Sequence, residues 1–248
     1  MLVTTGQYNG NSKIIRLDSS DAKKPTYQNH PKSVVGATGG FIGEKMVICG
    51  GSIGDSDESI STECYALHQY DNPKRTVWQN MKTKRKWAAS IVMGNKLWIL
   101  GGKTGEHGSV SDGTSEFITI EGNREDGPDL PVGLERHAAV KINETTAMLI
   151  GGCNNEKYSK TWYYTQHQTE WIPGPKLNEA RCSHTAGLIH DSITQEEYVV
   201  VIGGQGINSR NLKSTEYLSR DGSEWKKGKG EFILETLQKK SLVQWREN

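Results

Sequence analysis

The sequence is poor in cysteine, proline and phenylalanine, and it has no excess charge of either sign. Four cysteines in 248 residues are too few for a fold that depends on many disulfides. Seven prolines argue against an extended, disordered linker, and 30 basic against 29 acidic side chains leave a net charge of +1. Without a basic field or a charged tail, the chain is not expected to bind nucleic acid.

Long apolar runs are also missing. The longest have about five residues, such as residues 198–202, whereas a membrane-spanning helix needs about 20. The first ten residues, MLVTTGQYNG, lack the basic and apolar segments of a signal peptide. These features predict no membrane partner and a cytoplasmic location if the chain is complete. If the chain is part of a longer secreted protein, an extracellular location is a close alternative.

Glycine, in contrast, is abundant, with 28 residues, and it recurs in pairs. Four Gly-Gly pairs end short apolar runs, and the steps between their second glycines are 51, 50 and 52 residues. Near-equal steps of about 50 residues are typical of repeat proteins whose units stack on one another. A weaker fifth copy ends at Gly6, which lies 45 residues before Gly51. The pairs are Gly50-Gly51, Gly101-Gly102, Gly151-Gly152 and Gly203-Gly204.

Three further features recur in register with the glycine pairs. After each pair, a polar loop leads to a strand with Glu63, Glu116 or Glu216, and Thr161 takes that position once. We expect this glutamate to be a structural acceptor for loop amides or for a basic neighbour. An aromatic residue follows, and a tryptophan comes later in most units. These positions are Tyr65, Phe117, Trp162 and Tyr217 for the aromatic residue, and Trp78, Trp171 and Trp225 for the tryptophan.

An apolar hairpin precedes each glycine pair, so each unit is predicted to have four antiparallel strands, a to d. In the second full unit these are residues 88–92, 96–100, 116–120 and a last strand near 129–132. With all features in register, residues 1–227 resemble the kelch-repeat β-propellers. The resemblance implies an all-β fold in which four-stranded blades stack around a channel.

The kelch resemblance predicts one domain over residues 1–248, with repeats at 1–31, 32–83, 84–133, 134–178 and 179–227. Residues 228–248 form an atypical closing tail. Five blades are visible, and the alternative that the chain is a piece of a six-bladed ring stays open. The first repeat opens at strand b, and residues 232–234 are a candidate for its missing inner strand.

Local catalytic motifs are absent from the sequence. It contains no C-x-x-C, H-E-x-x-H, G-x-S-x-G or phosphate-loop motif, and no histidine has acidic residues at the spacing of a kelch-type iron site. We therefore predict a non-catalytic module, without metal or cofactor, that binds a protein or peptide. The alternative is a carbohydrate-active or metal-dependent enzyme of the galactose-oxidase-like kelch type.

Basic and aromatic residues cluster in the turns that join strand d of one unit to strand a of the next. Such turns open on one rim of a propeller, and kelch adaptors bind peptides with residues of these loops. Lys86, Arg136 and Arg181 are expected at similar points of three turns, where they would receive an acidic partner. The alternative is structural, with the arginines bonded to loop carbonyls and the histidines packed beside the channel. The candidate rim residues are Arg85, Lys86, Trp87, Arg136, His137, Arg181 and His184.

The four cysteines form two candidate pairs. Cys49 ends strand b and Cys64 opens strand c of one unit, and antiparallel neighbours lie about 5.5 Å apart between Cα atoms, within disulfide range. Cys153 follows a glycine pair and Cys182 lies in the next turn, so both face the same rim. Two such pairs indicate an oxidising compartment, against the cytoplasmic interpretation of the N-terminus.

Overall fold

The structure, a computed structural model, is almost entirely β. It describes the backbone of residues 2–4, 13–16, 26–29 and 67–68, and the complete residues 34–53, 59–66, 77–105, 110–191, 195–219 and 222–228. The only helix in these ranges is a single 3-10 turn at Ile207–Ser209. Within the same ranges, no helix has the length and apolar character needed to cross a bilayer.

Four sheets of four antiparallel strands form four propeller blades, each in the order a-b-c-d. Blade 1 contains Thr38–Ile42, Lys45–Cys49, Glu63–His68 and Gln79–Asn80. Blade 2 contains Ala89–Met93, Lys96–Leu100, Ser115–Thr119 and Arg124–Asp126. Blade 3 contains Ala138–Lys141, Thr146–Ile150, Thr161–Thr165 and Ile172–Pro173. Blade 4 contains Thr185–His190, Glu197–Ile202, Thr215–Ser219 and Lys226–Gly228.

The prediction of five blades is wrong: the structure has four. The first repeat, whose sequence begins at strand b, contributes a three-stranded sheet instead of a complete blade. Its strands are Leu2–Thr4, Lys13–Arg16 and Thr26–Asn29. The candidate closing strand at residues 232–234 lies outside the described residues.

The strands labelled a line the centre, because those of successive blades lie side by side. The predicted bounds of strands a, b and c in blade 2 agree with the structure to within one residue. Strand d was predicted near residues 129–132 but is Arg124–Asp126. The chain turns back earlier than expected because Gly122 and Asn123 close a tight turn on Thr119, with Gly122 N donating to the Thr119 carbonyl at 2.9 Å.

The hydrophobic cores lie between blades, so no blade buries its faces alone. Between blades 2 and 3, Trp98 stacks on Trp171 with ring centroids 5.5 Å apart, and Tyr164 packs against both rings. Trp225 and Leu177 share the core between blades 3 and 4. The repeated tryptophan position is therefore a packing position.

The strand register places Cys49 of strand b opposite Cys64 of strand c in blade 1. The structure joins these two residues by a disulfide. Both are buried in the core between blades 1 and 2, whereas Cys153 and Cys182 are free thiols.

Candidate functional site

The turns that lead into strand a form one rim of the propeller around its central opening. One residue in each turn has a left-handed backbone, with φ of +73° at Gly36, +56° at Trp87, +53° at Arg136 and +53° at Ser183. These residues are linked from blade to blade. The amides of Trp87, Arg136 and Ser183 donate to the carbonyl of the preceding member at 2.8, 2.9 and 2.8 Å. This series of backbone hydrogen bonds therefore fixes which side chains lie at the mouth of the channel.

Lys86, Arg136 and Arg181 lie in the three expected turns, but they are not at equivalent positions. Backbone bridges pair Lys86 with Lys103, Glu135 with Cys153, and Cys182 with Gln205, so Arg136 and Arg181 lie on either side of the Lys86 position. The a–b hairpin of blade 3 is one residue longer than that of blade 2, which shifts any alignment counted back from the glycine pairs. The equivalent sets are Arg85, Leu134 and Arg181; Lys86, Glu135 and Cys182; and Trp87, Arg136 and Ser183.

Arg85 is a buried structural residue, because its side chain is only 1% exposed. One terminal nitrogen, Nη1, donates to the carbonyl oxygens of Gly101 at 2.6 Å and Thr114 at 3.2 Å. The same nitrogen lies 3.1 Å from the carboxylate of Asp112, and Nη2 lies 3.1 Å from that of Glu116. Arg85 thus joins the turn before blade 2 to strands b and c of that blade and is not a rim residue.

Arg181 makes the equivalent contacts in the turn before blade 4, and its side chain is fully buried. Nη1 donates to the carbonyl oxygens of Gly203 at 2.8 Å and Ser214 at 3.2 Å. Nη2 donates to Glu216 at 2.7 Å and lies 3.5 Å from the carboxylate of Glu179. The structural alternative therefore holds for Arg85 and Arg181, and their place in the predicted binding rim is withdrawn.

The recurring glutamate is the partner of these arginines. Glu116 is buried and also accepts hydrogen bonds from the backbone amides of Lys82 at 2.7 Å and Thr83 at 3.3 Å. In blade 4 the corresponding amide donors to Glu216 are Asn178 and Glu179, at 2.6 and 3.1 Å. The prediction of an acceptor for loop amides or a basic neighbour is therefore confirmed for Glu116 and Glu216. The expectation that Glu63 and Thr161 share their position is wrong, because the strand register places Tyr65 and Trp162 there.

Blade 3 replaces the whole network at once. Leu134 stands where the turns into blades 2 and 4 have arginine. Trp162 stands where strand c of those blades has glutamate, because Glu116, Trp162 and Glu216 pair with equivalent residues of strand b. Pro131 takes the position of Lys82 and has no amide hydrogen to donate. Leu134 is completely buried, Trp162 is 6% exposed, and both belong to the core between blades 2 and 3. Because the arginine and the glutamate are replaced together, neither charge is left buried without the other.

His137 and His184 do not add charge to the rim. A Cβ placed on Gly101 or Gly151 would lie 3.1 Å or 2.8 Å from their respective Cε1 atoms, so each ring lies against the glycine pair of the preceding blade. Burial, and then the charge of His184, lower the pKa of His137 from 6.5 to about 3. Burial, and then Arg181, lower the pKa of His184 to about 4. Both rings are therefore neutral near pH 7 and pack beside the channel.

This burial of His137 makes stability depend on pH. The unfolded chain takes up a proton below pH 6.5, whereas folded His137 does so only near pH 3, so its contribution is complete above pH 6.5 and is lost as pH falls. We expect the urea midpoint to fall between pH 7.5 and pH 5 and to fall less in His137→Leu. An equal loss in both proteins would contradict the assignment.

A cluster of cations around Trp87 is what remains of the predicted rim. The Arg136 guanidinium carbon lies 3.7 Å from the centroid of the indole ring. The Nζ atoms of Lys86 and Lys103 lie 4.3 Å and 5.5 Å from it. Gly36 makes room for the ring, because a Cβ there would lie 2.4 Å from Trp87 Cδ1. We call Trp87, Lys86, Lys103 and Arg136 the Trp87 cluster.

The loops between strands b and c open on the same rim, because strand b ends where the turn into strand a begins. These loops carry exposed aliphatic side chains, which sequence reasoning missed together with Lys103. The sequence could have indicated that Lys103 lies on this rim, since Lys103 directly follows the pair Gly101-Gly102. The exposed aliphatic residues of these loops are Ile53, Val110 and Ile207.

Within the described ranges, no three side chains of His, Cys, Asp or Glu come together in a way that suits a metal ion. The rim therefore presents the partly exposed Trp87, Lys103 and Arg136 with aliphatic residues around them, whereas Lys86 is only 1% exposed. No protein-family model matches the chain, and no curated protein matches it in sequence.

Proposed function

We propose that the chain is a kelch-type propeller that acts as a non-catalytic binding module and receives an acidic protein or peptide segment on this rim. The observation that carries the proposal is the convergence of three cationic side chains on the indole of Trp87. The kelch assignment rests on the glycine pairs and the tryptophan that recur along the sequence, and on the buried glutamate that blades 2 and 4 share.

Two of the three cations, Lys103 and Arg136, are partly exposed at the rim. A single cation–π contact contributes about 0.5–2 kcal/mol, depending on its exposure. A carboxylate brought to the cluster would accept charge-assisted hydrogen bonds from Arg136. Among the described residues, the buried Nε of Arg136 has no hydrogen-bond partner.

The charge of this rim is local and not a property of the whole chain. The net charge of the chain is +1. Two acidic residues lie on the same rim at blade 3, Glu135 beside Cys153 and Glu156 next to Lys157. The positive charge is concentrated on the side of blade 2, around Trp87. An acidic segment is therefore expected to bind at the Trp87 cluster, and its apolar residues are expected to contact the exposed aliphatic side chains of the b–c loops.

We also propose a compartment for the protein. The disulfide between Cys49 and Cys64 favours an oxidising environment, and thus the extracellular alternative over the cytoplasmic one.

Selection from a random displayed peptide library tests the binding proposal. We expect peptides enriched on the wild-type protein to be richer in Asp and Glu than the starting library. Arg136→Gln should weaken the best of them about tenfold or more, since charge-assisted bonds contribute roughly 1.5–3 kcal/mol.

The matched control is Arg124→Gln, which removes the same charge from an exposed residue at the start of strand d, at the opposite rim. This variant should leave the affinity nearly unchanged. Enriched peptides without acidic bias, or equal losses in both variants, would overturn the proposal.

A further inference from the structure

Cys153 and Cys182 come together across the boundary between blades 3 and 4. The Gly152 amide donates to the Arg181 carbonyl at 2.9 Å, and the Ser183 amide donates to the Arg136 carbonyl at 2.8 Å. These two bonds hold the residues on either side of Cys182 against blade 3.

Cys153 is held in the same place from its own side. Its amide donates to the Glu135 carbonyl at 2.9 Å, and the Glu135 amide donates back to the Cys153 carbonyl at 3.0 Å. The Cys153 Sγ lies 3.7 Å from that carbonyl oxygen, and the Cys153 and Cys182 thiols interact with each other. The backbone bonds therefore make the two thiols neighbours, contributed by adjacent blades.

From this geometry we infer that Cys153 and Cys182 form a dithiol site that peroxide converts into a second disulfide, one that ties blade 3 to blade 4 at the rim. The inference rests on the geometry of the two thiols and does not depend on the proposed binding function. Unlike the Cys49–Cys64 disulfide, which lies within blade 1, this bond would join two blades.

The two thiols differ in reactivity because of their surroundings. The hydrogen bond from the Cys153 thiol, with the charges of Lys157 and Arg136, lowers the pKa of Cys182 to about 6, although burial opposes this shift. The same hydrogen bond, burial and the carboxylate of Glu135 raise the pKa of Cys153. Near pH 7, Cys182 is therefore the thiolate and Cys153 is the protonated thiol.

The reaction balances with hydrogen peroxide as the oxidant. The Cys182 thiolate attacks one peroxide oxygen, the O–O bond breaks, and hydroxide leaves as Cys182 becomes a sulfenic acid. The Cys153 sulfur then attacks the Cys182 sulfur and loses its proton, and the sulfenic oxygen leaves as water. Two thiols and one peroxide thus give one disulfide and two waters, counting the proton that the hydroxide takes up.

Peptide mapping without reductant tests the inference on the whole purified chain. Trypsin is expected to release Cys153 in residues 142–157 and Cys182 in residues 182–210. After peroxide treatment we expect these peptides to be linked, with a mass lower by two hydrogens than their sum. Cys49 and Cys64 share the tryptic peptide of residues 46–74, and its mass, lower by two hydrogens before and after treatment, is the internal control for detection.

Two single variants test the order of the steps. In Cys153→Ser, dimedone should trap a sulfenic acid at Cys182, because no second thiol consumes it. In Cys182→Ser, Cys153 should resist dimedone labelling and stay available to alkylation. The inference is overturned if both thiols remain free after peroxide treatment, if they link only to other molecules, or if Cys153 is the first to be oxidised.

Discussion

Arg85→Leu is expected to destabilise the protein by about 3–5 kcal/mol, the usual cost of removing one partner of a buried ion pair. The change leaves the Glu116 carboxylate buried with only the amides of Lys82 and Thr83 as donors. It also removes the donor to the Gly101 and Thr114 carbonyls, which lie at the ends of strands b and c.

Blade 3 supplies the control for this variant within the same chain. The triple replacement Lys82→Pro, Arg85→Leu and Glu116→Trp gives blade 2 the residues that blade 3 has at 131, 134 and 162. It removes the Arg85 charge, its partner Glu116 and the amide donor of Lys82 together. The triple variant should therefore recover most of the stability that Arg85→Leu loses. Urea denaturation measures the free energy of unfolding of both variants, with the dependence on urea concentration expected to be unchanged. A triple variant less stable than Arg85→Leu would contradict the role of this network.

Gly101→Val is expected to cost about 2–4 kcal/mol through backbone strain and overpacking together. Gly101 has a φ of +57°, which β-branched residues avoid. A Cβ there would lie 2.6 Å from the Leu134 carbonyl oxygen and 3.1 Å from that of Asp112. Both contacts are with backbone atoms, which cannot move aside as the end of a side chain can.

Gly94 separates the two causes, because its φ is +58° and nothing lies within 4 Å of a Cβ placed there. Gly94→Val should therefore show the strain alone, about 1–2 kcal/mol. The difference between the two melting temperatures measures the crowding at the glycine pair. Equal losses would mean that the pair is not required for the close approach of blades 2 and 3.

The sequence predicts the repeat well because its signals are local and recur. Apolar hairpins ending in glycine pairs locate strands a and b of all four blades, and their spacing predicts the blades themselves. Strand d of blade 2 was missed because the turn at Gly122 is encoded by few residues. The number of blades was overestimated because an incomplete repeat still carries the pattern of strand b.

The candidate site was less predictable, because a charge near a rim can face inward or outward. Arg85 and Arg136 look alike in sequence, and only their different distances from the preceding core residues separate them. Arg85 and Arg181 follow the buried Met81 and Leu177 by four residues, as Leu134 follows Leu130. Counting from that side would have placed the arginines beside Glu116 and Glu216. The meeting of Lys103 with Trp87, in contrast, depends on cross-blade geometry.

The most direct test of the account is the indole N–H resonance of Trp87 in an NMR titration with a capped hexaglutamate peptide. Trp87→Phe assigns the signal, and the buried Trp98, Trp162, Trp171 and Trp225 serve as internal references. The account predicts that the Trp87 signal shifts most, that the references stay in place, and that Arg136→Gln abolishes the shift. A Trp87 signal that stays in place while the peptide perturbs other residues would contradict it.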